Sequence, residues 1–93
     1  MEVSQIMEEI IFRCRQYKAH TVILFGSRAK GTHTRCSDFD IAVRGVADTE
    51  GLREALDDIP TLYKIDLVDL DTCSNQLLME DIAAYGSTVY EKV

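Results

Sequence analysis

The sequence predicts a small α/β sandwich, a mixed sheet of three or four strands flanked by helices in the order α-β-β-α-β-α. Three observations point there: an amphipathic stripe of helical period at the amino end, short β-branched runs with alternating polar positions, and two later helical stretches closed by Pro60 and Gly86. Strands separated by helices favour a layered sheet over a helical bundle or an all-β barrel. A chain of 93 residues suffices for one hydrophobic core, so residues 1–93 are read as a single domain.

Val3, Ile6, Met7, Ile10, Ile11 and Cys14 recur at helical spacing, and Glu2, Glu8, Glu9, Arg13 and Arg15 fall mainly off that stripe, which predicts a helix over residues 3–17. Residues 21–25, TVILF, are β-branched and aromatic and end at Gly26. That composition predicts a strand buried on both faces and central in its sheet. From Ser37 the pattern alternates, with Asp38, Asp40 and Ala42 on one side and Phe39, Ile41 and Val43 on the other, the mark of a second strand. Asp48 or Thr49 is placed to cap a helix bearing Leu52, Ala55, Leu56 and Ile59, which Pro60 cannot continue. Residues 62–68 give a third strand with Lys64, Asp66 and Val68 on one face. Ser74 is positioned as the cap of a last helix carrying Leu78, Ile82 and Tyr85, with Gly86 as its C′ residue and residues 87–93 as an extended edge or tail.

Ten basic against sixteen acidic residues leave a formal charge of −6, which argues against broad, sequence-independent binding to a nucleic-acid backbone. Cys14, Cys36 and Cys73 are far apart and match neither a disulfide framework nor a zinc-ligand spacing. No apolar run is long enough to span a membrane, and the acidic amino end lacks the basic region of an export signal. Cytoplasmic localisation is the expectation.

The interruption of the second strand by two carboxylates needs a chemical reason. Asp38 and Asp40 lie two residues apart on one strand face, with Cβ atoms roughly 6–7 Å apart. Such neighbours repel and lose hydration, so they need a compensating cation. With no imidazole or thiol beside them, an oxygen-only ligand set suits a hard ion such as Mg²⁺, and Asp66, set between Ile65 and Leu67, supplies the third carboxylate. Three aspartates can hold two ions that stabilise the attacking and leaving oxygens of an in-line displacement at phosphorus. The plainer reading, polar residues on a wet strand face, competes for Asp38 and Asp40 and is preferred for Asp69 and Asp71 as turn residues.

Gly26-Ser27 lets the backbone approach a phosphate closely and offers N–H groups and a hydroxyl to it. Arg28 and Lys30 offer cations to phosphate oxygens or neutralise the turn, and Lys64 can touch substrate or pair with Asp66. The turn is not a P-loop, because Gly31 is followed by Thr32 and His33 in place of Lys and Ser or Thr. His33 reads as solvated, Cys36 as a small filler, and Tyr17, Tyr63 and Tyr85 as core or interface residues.

Gly26-Ser27, ten intervening residues, Asp38-Phe39-Asp40, and a third aspartate in YKIDLVDL resemble the signature of the DNA polymerase β type nucleotidyltransferase superfamily. Within it, FGSRAKGTHTRCSDFDIAV is similar to the minimal nucleotidyltransferases, over nearly the whole chain. The resemblance implies that Asp38, Asp40 and Asp66 are the metal-binding and catalytic carboxylates and that Gly26 and Ser27, with Arg28 nearby, hold the nucleotide phosphates. It implies transfer of a nucleoside monophosphate, AMP from ATP, to a hydroxyl with two Mg²⁺ ions. Asp66 then helps to deprotonate the nucleophile. It also implies a helical partner of the HEPN type, often a ribonuclease toxin, whose tyrosine is adenylylated, in a toxin–antitoxin pair. Homo- or hetero-oligomerisation would complete the acceptor site. Transfer to a small-molecule hydroxyl, or nucleotide binding without turnover, are the alternatives.

Overall fold

The computed structural model describes residues 2–31 and 38–92. The readings for His33 and Cys36, and the start of the second strand at Ser37, lie outside those residues. Along the chain come α1 (Val3–Gln16), β1 (Thr21–Phe25), α2 (Ser27–Lys30), β2 (Phe39–Arg44), α3 (Thr49–Asp57), β3 (Ile65–Asp69), α4 (Gln76–Tyr85) and β4 (Ser87–Glu91). The expected helices and strands are present, joined by a one-turn helix after Gly26 and by a fourth strand made from the predicted tail.

The sheet is mixed, with strand order β3-β2-β1-β4. β1 runs antiparallel to both β2 and β4, and β2 pairs with β3 in parallel. The parallel pair follows from the intervening α3, since parallel neighbours need a crossover connection. β1 is central, as its apolar run predicts.

Alternation along the strands separates two cores. Val22, Phe39, Ile41, Val43, Ile65 and Leu67 pack under α1 and α3, joined by Ile6, Ile10 and Cys14 of the first helix and Leu52 and Leu56 of α3. On the other face Phe25 and Ala42 meet Ile82 of α4 and Leu70, with Ile23, Val68 and Leu78 beside them. Arg13 of α1 donates to Ala55 O at 2.6 Å and ties the first two long helices together. Burial pushes the Cys14 thiol up to about 12, so it remains a protonated, inert core group.

Local competition sets the boundaries that differ from expectation. β3 begins at Ile65 and not at residue 62, because the segment after Pro60 folds on itself: Thr61 N donates to Ile59 O at 2.8 Å and Tyr63 N to Thr61 Oγ1 at 3.2 Å. Leu62 is left fully exposed. Helix α3 is capped by Asp48, which accepts from Gly51 N at 2.9 Å. Helix α4 is capped by Asn75, not Ser74, through a 3.1 Å bond from Leu78 N; both residue types cap well, and the one nearer the helix prevails.

Gly86 also departs from its expected role. Its φ of −66° and ψ of 145° are extended, not left-handed. A side chain there would collide with Ile82 O and Ile23 Cγ2, where α4 turns directly into β4. Glycine is required by space and not by backbone angle. Gly86→Ala is therefore expected to lower stability by about 1–3 kcal/mol, measured by urea unfolding, despite the small gain from a stiffer unfolded chain.

Candidate active site

The register of the sheet brings the predicted carboxylates to one end. Asp40 lies opposite Asp66 across the parallel β2–β3 pair and opposite Phe25 across the antiparallel β1–β2 pair. Asp38 stands just before β2 and is exposed, whereas Asp40 is half-buried. Since Ala42 and Val68 belong to the core under α4, Asp38, Asp40 and Asp66 project on that same face, beyond the end of its apolar packing.

Gly26 closes the site from the β1 side. Its φ of 75° and ψ of −155° lie in a region open essentially to glycine alone. A Cβ placed there would overlap Asp40 Oδ2. The glycine therefore supplies both a sharp exit from β1 and the space that the Asp40 carboxylate occupies. Ser27 then opens α2, whose first turn is closed by Lys30 N donating to Gly26 O at 3.1 Å.

Electrostatics mark Asp40 as the strained member. Its pKa is raised above the ordinary 3.8, first by desolvation and then by the charges of Asp66 and Asp38, with Lys64 acting in the opposite direction. Lys64 Nζ lies 3.5 Å from Asp66 Oδ1, an exposed ion pair. Three mutually repelling carboxylates do not close up unaided. Among the described residues no three histidine, cysteine, aspartate or glutamate side chains form a group ready to hold a metal ion. The structure thus places Asp38, Asp40 and Asp66 along one edge without drawing their oxygens into a finished cage. The donor set is nonetheless all carboxylate, and the raised Asp40 pKa records the cation deficit that a hard divalent ion would relieve.

The basic residues of the turn take different directions. Arg28 places its guanidinium over the ring of Phe39, 4.1 Å from the centroid. Phe39 points to the α1/α3 face, opposite the carboxylates. Lys30 goes to the α4 face, where it pairs with Asp81 at 2.9 Å and sits 5.0 Å from the Tyr85 ring. Sequence spacing gave no sign of the Arg28 and Lys30 contacts, because Tyr63, Asp81 and Tyr85 come from distant segments. Tyr63 and Tyr17 pack against the main core, while Tyr85 is exposed. Asp69 and Asp71 hold turns: Asp69 Oδ2 accepts from Thr49 Oγ1 at 2.8 Å and Asp71 Oδ2 from Gly45 N at 2.7 Å.

A mixed four-stranded sheet with a Gly-Ser turn after its first strand, two aspartates at the start of the second and a third in register on the next defines a nucleotidyltransferase type of α/β domain. Residues 8–93 match the family described as polymerase beta, nucleotidyltransferase, and the chain belongs to that family. It is similar to solved structures of toxin–antitoxin proteins. A chain crystallised as a toxin–antitoxin with AMP-PNP is 32% identical, with TM-score 0.68, over 91% of this chain and 73% of that one. A chain from an MntA-HpeT toxin–antitoxin mutant, with two aspartates two positions apart changed to glutamate, is 30% identical, with TM-score 0.66 and the same coverage. A protein from Shewanella oneidensis shares the fold at 21% identity, with TM-score 0.64, over 98% of this chain and 74% of that one. No curated protein matches the sequence.

Two outcomes follow from the Gly26–Asp40 contact and the charge on Asp40. Gly26→Ala is expected to cost at least ~2 kcal/mol of stability from backbone strain alone and to displace the Asp40 carboxylate, both visible in a thermal melt and a crystal structure. Because the folded protein holds the Asp40 proton more tightly than the unfolded chain, stability falls as pH rises through the raised pKa, in metal-free protein. Asp40→Asn removes that slope. The variant should melt above wild type at neutral pH, with the gap closing below pH 3.8 where Asp40 is protonated in both states.

Proposed function

We propose that this chain transfers a nucleoside monophosphate, AMP from ATP, to a hydroxyl on a protein partner, and so acts as the antitoxin of a toxin–antitoxin pair. The observation that carries the reading is the in-register Asp40–Asp66 pair set against the side-chain-free Gly26, with Asp38 on the same face. The 32% identical neighbour that was crystallised as a toxin–antitoxin with AMP-PNP supports both the nucleotide and the kind of partner.

Asp38, Asp40 and Asp66 are the residues that would hold Mg²⁺, which when bound offsets the combined charge of carboxylates and triphosphate. The turn at Gly26 and Ser27 holds the β- and γ-phosphates with backbone N–H groups and a hydroxyl. Asp66 accepts the proton of the acceptor hydroxyl as its oxygen attacks the α-phosphorus. The new oxygen–phosphorus bond forms as the bond from the α-phosphorus to the bridging oxygen breaks, and pyrophosphate departs with that electron pair. Asp38 and Asp40 would hold the cation that draws the reacting phosphate into place beside the nucleophile.

The acceptor is a tyrosine of a helical HEPN-type toxin. Residues 1–93 act as one minimal transferase domain in the cytoplasm, with the partner completing the acceptor pocket. No helix among the described residues is long and apolar enough to cross a membrane.

Incubation with α-labelled ATP, Mg²⁺ and the cognate helical partner tests the reading. Label is expected on the partner's tyrosine, and Asp38→Asn should reduce its incorporation by at least about a thousandfold while leaving the melting temperature within a few degrees. Label on a small hydroxyl compound alone would move the function to small-molecule modification. Complex formation with no label on any acceptor would make the chain a binding module.

A further inference from the structure

Arg28 directly follows the Gly26–Ser27 turn, yet it is packed against aromatic rings. Its guanidinium carbon is 4.1 Å from the centre of the Phe39 ring and 5.1 Å from that of Tyr63. The two rings meet edge to face, 5.6 Å apart at 86°. Three segments therefore join at one cation: the first turn of α2, the β2 residue between Asp38 and Asp40, and the loop that leads into β3.

The rings form a firm base. Phe39 is fully buried in the core under α1 and α3, and Tyr63 packs against that core. A planar guanidinium over ring faces is attracted by their negative quadrupoles, and more strongly where water is partly excluded, as at the half-buried Arg28. The Lys30–Asp81 pair, in which Lys30 is exposed and Asp81 half-buried, fastens the same turn toward α4. The aromatic contact adds a second anchor, on the rings of the buried core.

We infer that Arg28 is a positioning residue, which sets the distance between the phosphate-holding turn and the carboxylates by clamping α2 to Phe39 and Tyr63. Its kinetic consequence rests on the nucleotidyl-transfer reading of the site. Phe39 belongs to the core under α1 and α3 and Tyr63 packs against it, so the clamp acts on nucleotide through the placement of Gly26 and Ser27. A substitution of Tyr63, which is remote in sequence from the motif, should then disturb the turn as a substitution of Arg28 does.

The test uses the full chain carrying Arg28→Met, Tyr63→Leu, both together, or Tyr63→Phe. In nucleotide-free protein, hydrogen exchange is followed at the Lys30 amide, which donates to Gly26 O. Arg28→Met and Tyr63→Leu should each speed that exchange by roughly three- to tenfold, and the double variant should add little to either. Tyr63→Phe keeps the ring and should retain wild-type protection. Well below the melting point of each variant, KM for nucleotide should rise in the same order, with kcat changed less.

Unchanged exchange in Tyr63→Leu would overturn the clamp. So would a raised KM in Arg28→Met with exchange as in wild type, the pattern of a direct phosphate contact. Absence of transfer by the wild-type protein would instead remove the nucleotidyl-transfer reading, and the exchange measurement would still decide whether the clamp exists.

Discussion

The repulsion among Asp38, Asp40 and Asp66 is the constraint around which the rest of the structure is arranged. Three carboxylates on one sheet face oppose folding. Asp40 and Asp66 are both half-buried, and Asp40 feels the burden most because it is desolvated and lies near both Asp66 and Asp38. An apolar residue at that position would make a better strand. The cost is borne by a core that is otherwise well formed, with Ile6, Ile10, Val22, Phe39, Ile41, Val43 and Leu52 fully buried on the other face.

Topology turns that cluster into a site. The antiparallel β1–β2 pair carries the end of β1 to Asp40, and the parallel β2–β3 pair carries Asp66 to the same place. A slip of one residue in either register would send an aspartate into the core under α1 and α3. Ala42, Val43 and the helices on both faces therefore protect function as well as stability, because the apolar pattern that locks the register also aims the carboxylates. Where β1 ends, the absence of a side chain at Gly26 lets the turn and Asp40 share one space.

Much of this was legible in the sequence. The helical stripe through Ile6, Ile10 and Cys14, the alternation through residues 38–43 and the Gly-Ser to Asp-x-Asp spacing gave the elements and the candidate residues, because period and composition are local properties. The strand order, the parallel pairing and the choice of β1 as the partner of the extended edge at residues 87–91 were not, since they arise from packing between distant segments. Gly86 shows the same limit: its position after a helix suggested a left-handed cap, while contacts with Ile23 and Ile82 set its actual role. Arg28 is the most instructive case. Beside a Gly-Ser turn it reads as a phosphate ligand or a charge that neutralises the turn, and the fold adds the rings of Phe39 and Tyr63 as its neighbours. The alternation and spacing put Asp38, Asp40 and Asp66 on one face, and the register of β2 and β3 sets Asp40 opposite Asp66.

The net charge of −6 gives the site a consistent logic, since an acidic surface repels polyphosphates except where cations and aligned donors gather them. The most direct measurement of the central claim is anomalous diffraction from crystals grown with Mn²⁺ and a non-hydrolysable ATP analogue. The account predicts manganese held by Asp38, Asp40 and Asp66, with the triphosphate against Gly26 and Ser27. Manganese bound elsewhere, or a triphosphate seated away from that turn, would contradict it.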